Sequence, residues 1–428
     1  MASASQRASF EIFEIIKNGK RVDVSGNGLS ATKVTTFDYY ESLLSPNVTG
    51  VLSVADIASS VQYDSKYDKQ QRFGTLSSAL PLTGDVDVKF KIATKYGTLD
   101  FSKNPLIFDK EIIPNQGSNR EVIIMNLFSA YSKATQLPVK TKYTGNISSS
   151  VRRLIKDYLK VPDNKIFTTN SKNAWSFHGG NECLYKVLCE KVAPRTVPVK
   201  GNPGYFFYET QDGFNFRAID ELISQEPVAN YYKNEVLRAN LDNDKNDFKI
   251  LSKTDVKRDD LITSIKSGIF ISRNIFWNPL TSEYIEKTFK LDGLEESLGK
   301  IDIDIPDLES YTRTHFHILD VGGSDPGIGY EINNNPVEWV AKSTMRYNSL
   351  FSQIIQITVP CNVSLRAGNV INCDFEIISQ DNKYEGAIDG TQSGKYLILN
   401  LCHHFDAINS YTSMTLVRDS YGRHGRGA

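Results

Sequence analysis

The order of apolar and polar positions divides the chain into a strand-rich start, a more helical middle and a strand-rich end. Phe10, Ile12, Phe13 and Ile15 partly alternate with Glu11 and Glu14. Asn18-Gly19 follows as a turn, and residues 21–24 alternate again, which predicts a hairpin. Val86, Val88, Phe90 and Ile92 share one face of a predicted strand over 85–92, with further strands over 48–54, 97–101 and 106–112. Many short strands punctuated by Gly, Asn and Pro predict a barrel or sandwich.

Helical spacing comes next. Val122, Ile123, Leu127, Phe128 and Tyr131 predict a helix over 120–132. Val151, Leu154, Ile155, Tyr158 and Leu159 predict one over 148–159, with Ser148 to Ser150 as candidate N-caps. Leu184, Val187 and Leu188 predict one over 181–192, stopped by Pro194. In the stretch 204–222, Tyr205, Phe206, Phe207 and Phe214, Phe216 form two aromatic runs around Asp212-Gly213, a strong hairpin signal, and a short helix starts near Ala218 and takes in Ile219. Tyr205, Phe206, Phe207, Gly213, Phe214, Phe216 and Ile219 are the candidate structural-hairpin and interface residues. Since a two-sided strand buries alternate positions, about half of the aromatics are expected to be plain core.

Towards the end, Leu261, Ile262 and Ile265 form the inward face of a predicted helix over 257–267 that Gly268 closes. Segments 269–277 and 281–291 read as a strand pair around Asn278-Pro279, and 336–353 reads as a helix. Strands are predicted over 354–359, 370–378, 396–404 and 411–418.

The 428 residues suggest two to four domains, and 40% hydrophobic residues suffice for ordinary globular cores. Forty-nine basic residues against 50 acidic leave a net charge of -1, without the basic surplus of a nucleic-acid coat. The basic cluster from Arg418 to Arg426, with Gly422, Gly425 and Gly427, reads as a mobile end. Twenty-one Tyr and 22 Phe suit strands and protein interfaces. Five scattered cysteines (Cys183, Cys189, Cys361, Cys373, Cys402) include no C-x-x-C pair, so reduced buried thiols are expected rather than a zinc ribbon or disulfide framework. No secretory signal is evident, and no run of about 18 apolar residues predicts a membrane span.

Chemical motifs are sparse. The 390–396 stretch superficially resembles a phosphate loop, but its glycine spacer is three and Tyr396 follows Lys395 where Ser or Thr would hold magnesium; it reads as a turn before a strand. The acidic stretch 242–247 lacks the Gly and Glu of a calcium loop, with Asp247 and Lys253 in their places. Asp302 and Asp304 alternate with Ile303 and Ile305 as in a half-exposed strand rather than a glycosidase pair. The glycine-rich 322–329 reads as a connection. His315 with His317, or His403 with His404, are incidental metal candidates without ligand spacing. No catalytic or cofactor-binding residue is assigned, and no cofactor is expected.

The stretch 205–222, reading YFFYETQDGFNFRAIDEL, resembles the aromatic hairpin and short helix of baseplate hub proteins from contractile-tailed bacteriophages. Residues 359–371, with Leu365-Arg366-Ala367-Gly368-Asn369, Ser393-Gly394-Lys395-Tyr396 with its following strand, and the terminal 411–419 are similar to further stretches of that family and of secretion-spike bodies. Segment 257–268 fits as well. Cys361 stands where the family usually has Gly. The matches spread over about 146–419.

The resemblance implies a mainly β fold with α/β inserts: two tail-tube-like antiparallel β-barrels per subunit plus a mixed α/β region. The first barrel is expected at 8–145, the insert with the aromatic hairpin at 146–227, the second barrel at 228–419 (mainly 228–290 and 340–419), and a flexible tail at 420–428. It also implies a non-enzymatic homotrimeric ring in the virion baseplate, made in the host cytoplasm. Its partners would be the tail-tube protein, the central spike protein and baseplate wedge proteins, with DNA passing without specific binding. The end at Ala428 favours a separate spike protein. A tail-associated cell-wall hydrolase and a glycan-binding tail adhesin are the alternatives.

Overall fold

The computed structural model describes residues 8–26, 32–57, 61–64, 69–73, 75–116, 120–233, 248–258, 261–279, 281–290, 312–319, 335–377, 388–406 and 409–419. The stretches 242–247, 302–305, 322–329 and 420–428 lie outside them.

The fold is mainly β. One sheet runs through strands Ser252–Lys257, Gln353–Pro360, Tyr411–Arg418, Gly394–Asp406, Lys33–Ser42, Thr49–Ile57, Arg120–Ser129, Leu106–Gln116, Asp87–Thr94, Ser9–Lys17, Lys20–Asp23, Val61–Asp64 and Lys69–Phe73. Val370–Phe375 pairs with Gly394–Asp406, and Asn230–Lys233 lies parallel to Val370–Phe375. The expected turn at Asn18-Gly19 is present, with φ of 50° and 78° and Lys17 paired to Lys20.

The seam between the two halves is the antiparallel pairing of Lys33–Ser42 with Gly394–Asp406, from Asn400↔Ser42 to Asp406↔Thr36. It joins elements more than 350 residues apart in sequence, so the two expected β bodies are the two ends of one sheet. Each body curls back on itself through isolated hydrogen bonds. In the first, Val34 N donates to Val24 O at 3.1 Å. In the second, Tyr232 N donates to Phe248 O at 3.1 Å and Ile250 N to Tyr232 O at 2.8 Å. Among the described residues neither closure continues as a ladder.

Each body has its own core. The first centres on aromatic side chains: Phe37 lies 5.3 Å from Phe13 and 4.7 Å from Phe90, which in turn lies 4.9 Å from Phe101. The C-terminal strand contributes Phe405, stacked on Phe37 at 6.2 Å. The second core gathers Tyr231, Ile355, Ile357, Ile371, Tyr396 and Leu416.

Residues 120–129 are a strand, not the predicted helix. Glu121, Ile123, Met125, Leu127 and Ser129 are buried and the residues between them are not, so the burial period is two. The β-branched Val122, Ile123 and Ile124 favour that conformation. The helix over 148–159 is present as Ile147–Leu159, capped by Asn146, whose side chain accepts from Ser149 N. The predicted 181–192 helix is a single α turn, Leu184–Lys186, continuing as a π-helix to Val192. The 257–267 helix is shorter, Leu261–Lys266, and Ile262 faces outward at 64% exposure. The strand pair Ile271–Asn278 and Glu283–Lys290 forms a separate three-stranded sheet with Arg313–Ile318. Arg418 is a fully buried residue of the last strand rather than part of a basic tail.

Phe37 touches both the core of its own body and Phe405 from across the seam, so removing its ring should leave a cavity that neither side can fill. Phe37→Ala is expected to cost about 3–5 kcal/mol, read as a lowered urea midpoint with an unchanged slope.

Candidate functional site: a buried aromatic hairpin and its polar ends

Strands Tyr205–Thr210 and Gly213–Ala218 form the predicted hairpin, closed by Gln211-Asp212, with Phe207 opposite Phe216 and Thr210 opposite Gly213. Ile166–Thr168 adds a parallel third strand, Ile166 lying opposite Phe214. Gly213 is required here. Its φ is +145°, and a Cβ would stand 2.2 Å from the Lys165 carbonyl oxygen.

All the candidate aromatics are buried, rather than about half. The reason is that both faces of the hairpin are covered. Tyr205, Phe207, Phe214 and Phe216 pack into the core of the insert, with Val151, Leu154, Leu188 and Trp175. Phe206, Tyr208 and Ile219 point the other way, into a cluster with Leu350, Val370, Leu397 and Val417. The rings pair diagonally across the strands, Phe207 with Phe214 at 5.8 Å and Tyr205 with Phe216 at 4.8 Å. On the far face Phe206 meets Tyr347 edge-on at 5.5 Å. Tyr205 N donates to the Tyr347 hydroxyl at 3.0 Å.

The hairpin tip enters the first β body through two buried carboxylates. Glu209 Oε2 accepts from Asn47 Nδ2 at 3.0 Å and Val48 N at 3.2 Å, and its Oε1 accepts from Ser129 Oγ at 2.8 Å. Glu41 Oε1 accepts from Gln211 N and from the Tyr39 hydroxyl, both at 2.9 Å, and its Oε2 accepts from Ala367 N at 3.0 Å. Burial pushes the Glu209 carboxyl up to about 7, against its three hydrogen-bond donors, and burial likewise raises Glu41 despite the nearby Arg366. Arg366 reaches the hairpin turn, donating to Gln211 Oε1 at 2.8 Å and Asp212 Oδ2 at 3.1 Å. Gly368, at φ +87°, lies so close to Tyr208 that a Cβ would stand 2.4 Å from its hydroxyl.

The hairpin base is tied to the C-terminal section. Asp220 accepts from Asn202 N at 2.6 Å and pairs with Arg346 Nε at 2.5 Å, and Arg346 Nη1 pairs with Asp419 at 2.7 Å. All three charged side chains are buried. They join the helix Ile219–Ile223, the helix Pro336–Leu350 and the end of the last strand. Arg418 donates to Ser393 O at 3.2 Å and Thr391 O at 2.9 Å and stacks on Tyr396. The 390–396 turn thus directs carbonyls at a cation, the reverse of a phosphate cradle.

The histidine candidates do not converge. His403 points into the core against Tyr39, where burial pulls its imidazole down to about 3, while His404 points outward to Asp38 at 2.6 Å. His315 and His317 stack on one face, and His317 bonds Asn274 at 2.9 Å. Among the described residues no group of three or more His, Cys, Asp or Glu could hold a metal ion. Among the described helices none is long and apolar enough to cross a membrane.

Sequence reasoning passed over the buried charges of Glu41, Glu209 and Arg346, and read Arg418 into a mobile basic end. The available signal was a charge inside an otherwise apolar or aromatic strand, as in Glu209 after Tyr205 to Tyr208 and Arg418 after Leu416-Val417.

No protein-family model and no curated protein matches the chain. Solved structures do. A tail protein from Neisseria meningitidis MC58 is similar with a TM-score of 0.52 at 10% identity, covering 96% of each chain. The 43 kDa tail protein of prophage MuSo2 from Shewanella oneidensis is similar with a TM-score of 0.52 at 8% identity, covering 96% of this chain and 98% of that one. The E. coli type VI secretion system component described as similar to T4 tail proteins aligns at a TM-score of 0.43 and 8% identity, covering 95% of this chain and 79% of its own. The chain has the fold of phage tail proteins, as the resemblance implied.

Two outcomes follow from the buried charges. Glu209 binds a proton more tightly folded, near 7, than unfolded, near 4.5. The native state therefore holds more protons between those values, and stability is lost as pH rises through them. Relative to wild type, Glu209→Gln should gain on the order of 3 kcal/mol between pH 5 and pH 8, measured by urea unfolding across that range; parallel curves would contradict the assignment. Arg346→Ala strands two buried carboxylates and should cost about 3–5 kcal/mol, read as a lower melting temperature than that of an exposed control, Arg273→Ala.

Proposed function

We propose that this chain is a structural, non-catalytic subunit of a phage tail baseplate hub. Three copies form a ring that adapts a hexameric tail tube to a trimeric central spike and leaves a channel for DNA. The observation that carries the reading is the whole-length likeness in fold to phage tail proteins, combined with two barrel-like bodies on one continuous sheet. Two such bodies in each of three subunits give six similar lobes, so a threefold ring can present near-sixfold geometry on one side. The corresponding division is a first body at 8–145, the insert with the hairpin at 146–227, a second body at 228–419 and a short tail.

A rigid joint suits an adaptor that must hold its two bodies in fixed register under load. The hairpin, buried on both faces, supplies such a joint within each subunit. A net charge of -1 suits a conduit, since neutralising many phosphates would hold DNA in place. In this reading the protein is made in the host cytoplasm and resides in the virion baseplate, against tube, spike and wedge proteins.

Negative-stain electron microscopy of the purified chain tests the reading. Three-lobed or six-lobed rings with a central hole are expected. Solitary compact particles at every concentration would contradict it.

A further inference from the structure

The small sheet of Ile271–Asn278, Glu283–Lys290 and Arg313–Ile318 has the reverse of the usual polarity. In Arg313–Ile318 the apolar Phe316 and Ile318 are 63% and 68% exposed, while His315 and His317, which alternate with them, are half-buried. The covered side is complete: Phe276 is fully buried beside Leu319 and Val337, and His317 stacks on Phe276 at 5.1 Å and bonds Asn274 at 2.9 Å. A sheet with one solvated side ordinarily alternates apolar-in with polar-out. This one carries apolar side chains on both sides.

Register brings the outward apolar residues together. Trp277 lies opposite Tyr284 on one side and Ile318 on the other, and Ile275 lies opposite Glu286 and Phe316. Tyr284 is 67% exposed, and Ile275 and Trp277 are half-exposed. Since an aromatic side chain offers about 150–250 Å², these five residues present roughly 400 Å² of apolar surface. That is the scale of a functional patch, and about half of the roughly 800 Å² that each partner buries in a standard interface. Charge on the face cancels within it, as Arg273 Nε meets Glu286 Oε1 at 2.6 Å. The neighbouring Thr288 and Thr314 are neutral. Every residue of Glu283–Lys290 except Phe289 is exposed, so this strand overhangs the body beneath it.

We infer that this face is a contact between copies of this chain, covered in the ring by the neighbouring subunit. The cover must be apolar, because a polyanion or a charged surface finds no net charge here to meet. The area suits the apolar centre of a copy-to-copy interface of ordinary size, with aromatic side chains and an arginine as its anchors. A neighbouring copy can supply opposing aliphatic side chains: Leu251 beside and Val256 within Ser252–Lys257, the edge strand of the large sheet, are both exposed. The inference rests on the ring-subunit reading.

Sedimentation velocity of the full chain tests it, at about 0.1 M and about 1 M NaCl, where the screening length falls from about 10 Å to about 3 Å. Wild type is expected at three times the monomer mass in both, since the contact is apolar. Phe316→Thr/Ile318→Thr should raise the concentration needed for assembly by roughly tenfold or more, with an unchanged circular-dichroism spectrum. Val199→Thr, at an exposed apolar position on the insert, should assemble like wild type. If the double variant does not fold, Tyr284→Thr on the opposite strand supplies the same test. Face variants that assemble like wild type would overturn the inference in favour of a different protein as the cover, and would leave the ring reading intact. Assembly that is lost in 1 M salt would overturn it in favour of an ionic contact elsewhere. Wild type that stays monomeric at every concentration would defeat the ring reading and the inference together.

Discussion

A two-stranded hairpin that is aromatic on both faces must be covered on both faces, and the rest of this structure is arranged around that constraint. One face receives the insert, including the helix Ile147–Leu159 and the π-helical segment. The other receives the helix Pro336–Leu350 and the strands that end the chain. With both sides occupied, the tip is directed into the first β body and the base against the last strand. Burial of aromatic side chains supplies the drive, at about 25 cal/mol per Å² of apolar surface.

Charged groups fix the geometry that burial alone leaves loose. Glu41 and Glu209 at the tip, and the Asp220–Arg346–Asp419 chain at the base, are desolvated and therefore costly. Each is satisfied by donors from a different part of the sequence: Asn47, Val48 and Ser129 from the first body, Ala367 from the second. A slip of either body would strand a buried carboxylate, so these contacts favour one relative placement over near neighbours. The shared sheet across Lys33–Ser42 and Gly394–Asp406 reinforces that placement with backbone hydrogen bonds.

Much of this was legible in local pattern. The Asn18-Gly19 turn, the aromatic hairpin, the amphipathic helix after Asn146 and the terminal strands follow from periodicity and turn chemistry. The family-like stretches around 205–222 and 359–371 turn out to touch one another, through Arg366, Ala367 and Gly368 on the hairpin. Segment 120–132 was misread because adjacent apolar residues, such as Val122-Ile123 and Leu127-Phe128, fit a helical spacing as well as a strand with apolar residues on its half-exposed face too. Pairing across more than 350 residues leaves no local trace. Neither does the second cover on the hairpin, which depends on a helix over a hundred residues downstream. The partners of Glu41 and Arg346 were hidden for the same reason.

In a subunit built this way the hairpin should be the last element to open, because exposing it requires separating the surrounding cores. Native-state hydrogen exchange measures that directly. Amides of Tyr205–Ala218 are predicted to exchange only with global unfolding, at the same protection as those of the seam strand Gly394–Asp406. Exchange of the hairpin at lower free energy, with both β bodies still protected, would contradict its role as the joint that holds them.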